Sequence, residues 1–194
     1  MGDQLEFNMH IYTCLKQQEF HFDKYQIVPI RFEDKLKILQ WRNQQIYHLR
    51  QTEKITAREQ ELYFKKCILP IFEQRLPSQV LFSFLSEGEC VGYGGLVRVN
   101  WSDRNAEISF LMNTDLERTN FLNYWTIFLK LIEKVAFVEM NLYKIYTYAY
   151  DIRPLLFEAL KMSEYHQEAR LKKHCLIDGI FKDILIHAKC KGQI

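Results

Sequence analysis

Between residues 80 and 138 the hydrophobic period of this chain changes twice, and those changes restrict the fold more than any other feature. Val80-Leu-Phe-Ser-Phe-Leu85 is rich in strand formers, Glu87-Gly88-Glu89 reads as a turn, and Cys90 to Val99 is rich in strand formers again, which predicts a hairpin. A second turn, Ser102-Asp-Arg-Asn105, leads into a third such run, Ala106 to Met112. Phe121 to Val138 then repeats apolar residues at three and four (Phe121, Tyr124/Trp125, Phe128, Leu131/Ile132, Val135), the spacing of one helix face. Three consecutive antiparallel strands and a long amphipathic helix predict an α/β (α+β) domain with a mixed, mostly antiparallel sheet flanked by helices.

The flanking segments extend the pattern. Tyr25 to Ile30 has strand composition, and Asp34 to Arg42 carries an approximate apolar stripe of Leu36, Ile38, Leu39 and Trp41. Thr56-Ala-Arg-Glu59 matches a capping box and opens a helix that ends before Pro70. Lys144 to Tyr150 reads as a strand, Pro154 as the first turn of a helix over 155–161, and Ala169 to Ala188 as a hairpin turning at Asp178-Gly179. The expected order is β α α β β β α β α β β. Residues 1–24 read as an N-terminal extension and 25–190 as one domain.

With 48% hydrophobic residues and 14% aromatics, the 194-residue chain can bury a sizeable core, which excludes disorder as its main state. Lys+Arg 26 against Asp+Glu 24 is too balanced to indicate nucleic acid. No apolar run reaches the roughly 18–20 residues of a membrane span; Phe121 to Val138 is interrupted by Asn123, Lys130, Glu133 and Lys134. The start lacks a basic region followed by an apolar one, and Glu6 stands where myristoylation after Met1-Gly2 requires Ser or Thr. Five scattered cysteines (14, 67, 90, 175, 190) without a C-x-x-C fit a reducing cytoplasm and predict no metal site; His187 and Cys190 read as ordinary strand and tail.

The element order resembles the GNAT superfamily of acetyl-CoA-dependent N-acetyltransferases over roughly residues 25–188. Gly92-Tyr-Gly-Gly95 is similar to that family's Gly-containing strand, and Ala106-Glu-Ile-Ser-Phe-Leu111 to the fourth strand of the branches that acetylate ribosomal proteins and nucleotide-linked amino sugars. His174, Gly179 and Asp183 have the spacing of the closing hairpin there. Counting back along the long helix, the family's pyrophosphate loop, Gln/Arg-x-x-Gly-x-Gly/Ala, falls on Asn120, Asn123 and Trp125. The chain departs from the family there. It departs again at Arg153 (an Asn is frequent), at Leu160 (a general-acid Tyr is frequent) and at Glu164-Tyr165 (Gly-Phe).

The resemblance implies direct transfer of acetyl from acetyl-CoA to a primary amine. Glu107 becomes the candidate general base, acting through water, and Tyr148 a candidate acid for the thiolate. Main-chain groups of Leu111 and Met112 would align the pantetheine arm, with Arg118, Asn120, Phe121, Leu122, Asn123 and Tyr124 around the pyrophosphate. Trp41-Arg42-Asn43 resembles a segment bordering the acceptor in enzymes acting on nucleotide-linked amino sugars, which makes such a small molecule the expected acceptor. A protein N-terminal amine is the alternative, and a non-catalytic CoA-binding or interaction module the alternative of another class. A homodimer is compatible with the resemblance. Arg50 and Arg58 would add charge for an anionic acceptor. Blander readings stand beside these: Glu107 facing outward on a half-exposed strand, Trp41 in the core, the 146/148/150 tyrosines as a packed face, and Arg50 and Arg58 as solvated surface.

Overall fold

The apolar runs form the strands of one sheet, ordered β1-β2-β3-β4-β5-β6-β8-β7, in a computed structural model that describes residues 10–192. The strands are β1 (Phe20–Phe22), β2 (Tyr25–Pro29), β3 (Gln79–Ser86), β4 (Glu89–Asn100), β5 (Asn105–Met112), β6 (Lys144–Tyr150), β7 (His166–Ile177) and β8 (Ile180–Cys190). Helices α1 (Lys35–Gln44) and α2 (Ala57–Tyr63) join β2 to β3, α3 (Glu117–Glu133) joins β5 to β6, and α4 (Pro154–Met162) joins β6 to β7. All pairings are antiparallel except β5 with β6, which the α3 crossover makes parallel.

Thr56 caps α2 as its sequence predicts: its hydroxyl accepts from the Glu59 N–H at 3.2 Å and the Glu59 carboxylate accepts from the Thr56 N–H at 2.7 Å. The segment before residue 25 is built into the core from residue 10 onward. Tyr12 is buried, and its hydroxyl both donates to the Leu81 carbonyl at 2.7 Å and accepts from the Leu81 N–H at 2.9 Å. Strand β1, unread in the sequence, is only three residues long and places one side chain, Phe20, inside. The reading of Met1-Gly2 and Glu6 lies outside the described residues.

The apolar face of α3 packs on the sheet, with Phe128 stacked on Phe110 of β5 at 4.0 Å between ring centroids. Gly94 allows this closeness of strand and helix, and Gly95 the close approach of β3. A Cβ on Gly94 would lie 2.2 Å from the Ser109 carbonyl and 3.0 Å from the Phe128 ring, and one on Gly95 would lie 2.0 Å from the Val80 carbonyl. The glycines of this strand therefore serve packing. Among the described residues, no helix is long and apolar enough to cross a membrane, and no group of three His, Cys, Asp or Glu side chains is placed to hold a metal.

Candidate active site

Strands β5 and β6 pair over three residues only, Asn105 with Lys144, Ala106 with Ile145 and Glu107 with Tyr146. Beyond Glu107 they diverge, and the β5 edge that faces β6 has no strand partner. A cavity of about 260 Å³ opens in the gap. Backbone groups on such an edge require partners from solvent or a ligand.

One wall is aromatic. Trp125 of α3, which lines the cavity, is 3% exposed and meets Phe110 edge-on at 5.0 Å, and its buried indole N–H has no hydrogen-bond partner. Toward the N-termini of α3 and α4 the gap is bridged by an ion pair: the Arg153 guanidinium donates to the Glu117 carboxylate at 2.7 Å and lies 5.0 Å from the Phe121 ring. Burial pushes the Glu117 carboxyl up and the Arg153 guanidinium down, each opposed by attraction to the other. His48, 3.3 Å from Arg153, is pushed down to about 3, chiefly by burial and then by that neighbouring cation.

The opposite wall is charged. Glu107 is 6% exposed, and Arg50 donates to one of its oxygens at 2.8 Å while Arg98 donates to the other at 2.9 Å. The Arg50 guanidinium also lies over the Tyr148 ring, 4.3 Å from its centroid. Arg98 reaches this site through a break in β4. The register with β5 shifts between Val97 and Asn100, and Arg98 has φ 51°. Strand alternation places neighbours on opposite faces, so a regular β4 with Val97 opposite Glu107 would carry Arg98 to the other side. The bulge returns it to Glu107. Arg50 belongs to the α1–α2 connection, which Asn43 holds in place. The Asn43 amide donates to the Ile55 carbonyl at 2.8 Å, and its oxygen accepts from the Ile55 N–H at 3.0 Å and from Gln51 at 3.1 Å.

The structure gathers Glu107, Tyr148 and Arg42 around the cavity. Arg42 donates to the Tyr93 hydroxyl at 2.9 Å and to Gln51 at 3.0 Å. Trp41 is in the core and Asn43 is a loop clamp, so of those three only Arg42 lines the cavity. Helix α3 starts at Glu117, four residues before the expected Phe121, because a 3₁₀ turn over Thr114–Leu116 feeds directly into it. This corrects the loop position: Asn120, Phe121, Leu122, Asn123 and Tyr124 lie inside the helix. Asn123 donates to the Tyr25 hydroxyl at 3.0 Å and Tyr124 packs on Phe84 at 5.6 Å, both away from the gap. Trp125, at the last position of the family's loop pattern but also on the helix's apolar stripe, is a packed residue of the third helical turn, as that stripe predicts. Arg118 is at the helix start, while Leu111 and Met112 end β5, where the Met112 carbonyl accepts from Gln45 at 2.8 Å. Leu160, at the general-acid position, is fully buried in the core. The sequence does not mark Arg98 or Arg153 as site residues, and it offers Arg50 either as charge for an anionic acceptor or as solvated surface.

The sheet parts between its one parallel pair, with a titratable cluster beside the gap. The chain belongs to the GNAT acetyltransferase family: residues 27–153, more than half of it, match the acetyltransferase (GNAT) domain. Its members take acetyl from acetyl-CoA. No curated protein matches the chain. Among solved structures it is similar to the spermidine N-acetyltransferase of Vibrio cholerae in complex with CoA and spermine, with TM-score 0.76 and 16% identity over 89% of this chain and 98% of that one. The dodecameric intermediate state of a Vibrio cholerae spermidine N-acetyltransferase superposes with TM-score 0.73, at 16% identity over 89% and 96%.

Proposed function

We propose that this chain transfers an acetyl group from acetyl-CoA to a primary amine in the gap between β5 and β6. The observation that carries the reading is the three-residue pairing of those strands, which leaves the β5 edge open for the amide groups of a pantetheine arm. The Glu117 N–H already bonds the Thr114 carbonyl, so Arg118 and Thr119 supply the helix-start amides for the pyrophosphate, with Arg153 the nearby cation. When bound, acetyl-CoA supplies an activated acyl group.

Glu107 takes the proton of the attacking ammonium through a water. Its two oxygens receive three N–H contacts, at 2.8, 2.9 and 3.4 Å. A carboxylate has about four acceptor positions, which leaves room for that water. Tyr148, on the same wall, supplies the proton for the leaving thiolate. Arg42, lining the cavity, supports an acceptor-binding role for the segment that resembles enzymes of nucleotide-linked amino sugars. A protein N-terminal amine is the competing acceptor.

The Arg153–Glu117 bridge favours a second reading, a fold that retains the gap without using it for catalysis. Calorimetric titration with acetyl-CoA, followed by an assay of thiol release with amines, separates the two. Binding followed by turnover is expected. Failure to bind would remove the enzyme reading, and binding without turnover on any amine would favour the second.

A further inference from the structure

The cluster on the charged wall holds more cation than its carboxylate requires. One guanidinium suffices to pair a buried carboxylate, and Glu107 has two. The second is not there by default: it arrives on a bulge, with a non-glycine residue in the left-handed region, and such local strain is retained where it aims a side chain. Arg98 uses one of its five N–H groups on Glu107, remains 59% exposed, and makes no other hydrogen bond among the described residues. Arg50 turns Nη1 and Nη2 to Glu107, leaving its Nε–H without a hydrogen-bond partner among the described residues.

The surplus extends over the cavity. Its lining includes Arg42, Arg50 and Arg153 against one acid, Glu107. Counting the adjacent Arg98 and Glu117 gives four guanidiniums against two carboxylates. His48 does not change this at neutral pH, because burial keeps it uncharged. A polyamine entering here would meet like charge and find both acids already paired.

We propose that the acceptor amine is carried on an anion, a phosphate or carboxylate, held by the free N–H groups of Arg98 and Arg50 beside Tyr148. The proposal rests on the acetyl-transfer reading above and names its acceptor class. It differs from what the Vibrio cholerae structure binds, since spermine is a polycation. Guanidinium forks match the paired oxygens of phosphate and carboxylate. This anion is distinct from the pyrophosphate of the acetyl donor, which is assigned to the start of α3; Glu107 and Met112, where β5 ends before that helix, stand five residues apart, about 17 Å along the strand.

The test uses the full chain saturated with CoA. Inorganic pyrophosphate and spermidine are each titrated into that complex by calorimetry, and the pyrophosphate titration is repeated with Arg98→Gln and Arg50→Gln; CoA binding by each variant checks that it folds. Pyrophosphate is expected to bind the CoA complex at least tenfold more weakly in either variant, and spermidine not to compete with it. In a matched assay, phosphoethanolamine should exceed ethanolamine as acceptor, and Arg98→Gln should erase the preference. No pyrophosphate binding to the CoA complex, binding in both variants as tight as in the parent, or displacement by spermidine would overturn the anion site. Failure of CoA itself to bind would instead overturn the acetyl-transfer reading.

Discussion

On the α3 wall of the gap Phe110, Trp125 and Phe128 meet ring to ring, whereas on the α1–α2 wall Arg50, Glu107 and Arg98 meet charge to charge. The first wall comes from two regular elements whose apolar period continues into the core. The second is collected from a loop, a bulge and one buried strand residue. Packing fixes the first wall to within a methyl group. The second is fixed by directed hydrogen bonds, and it is the one to which we assign acceptor recognition and deprotonation.

The largest separation of the two walls is expected from Glu107→Gln, which keeps size but removes the proton acceptor. A general base contributes about 10²–10⁴-fold, so kcat should fall within that range while affinity for acetyl-CoA stays close to that of the parent. Wild-type turnover would reduce Glu107 to an anchor for the two arginines. The aromatic wall should respond in stability instead. Trp125→Ala removes a buried ring and is expected to cost about 3–5 kcal/mol in denaturant unfolding; an unchanged midpoint would show that the indole is not part of the core.

A third effect lies between the walls, at His48. Above pH 6.5 the imidazole is neutral both folded and unfolded. As pH falls from 6.5 toward about 3, the unfolded chain takes up a proton that the folded chain excludes. Stability present above pH 6.5 is therefore lost on acidification, by up to about 1.4 kcal/mol per pH unit from this residue. His48→Gln should flatten the stability profile between pH 6.5 and 4.5 relative to the parent. Parallel profiles would place the ring in water. The smallest effect is expected from Thr56→Ala, which removes the cap of the helix following the Arg50 loop and should cost about 1 kcal/mol. A change in acceptor KM larger than the loss of stability would tie the cap to the charged wall.

The aromatic wall was legible in the sequence because its residues repeat at helical and strand periods. The order of elements from Tyr25 onward was legible for the same reason, whereas Glu107 stood out only through the family resemblance, since the strand pattern alone leaves it free to face outward. The charged wall was not. Arg98 reads as an outward residue of a regular strand, and only the bulge reverses it. Arg50 is one arginine among many until the Asn43 clamp fixes its loop. Arg153 was seen only as a missing Asn. The start of α3 was placed four residues late because Glu117, Arg118, Thr119 and Asn120 carry no apolar stripe, so helix geometry had to be counted from the first aromatic residue. Strand β1 is too short for any period to show.

The three-residue junction of β5 and β6 has a mechanical meaning as well. Five strands lie on one side of it and three on the other, so the sheet is two ladders joined at a short seam. Helix α3 spans that seam, packing on β1, β2 and β5 and also against α4. Cooperative unfolding of the whole molecule thus leans on one helix, three residue pairs and the side-chain contacts that Arg50 and His48 make across the gap. A molecule lying along the open β5 edge would act as a splint between the ladders. Its arrival would slow hydrogen exchange in β6 and β8 as well as in β5, although it touches only the rim of either half.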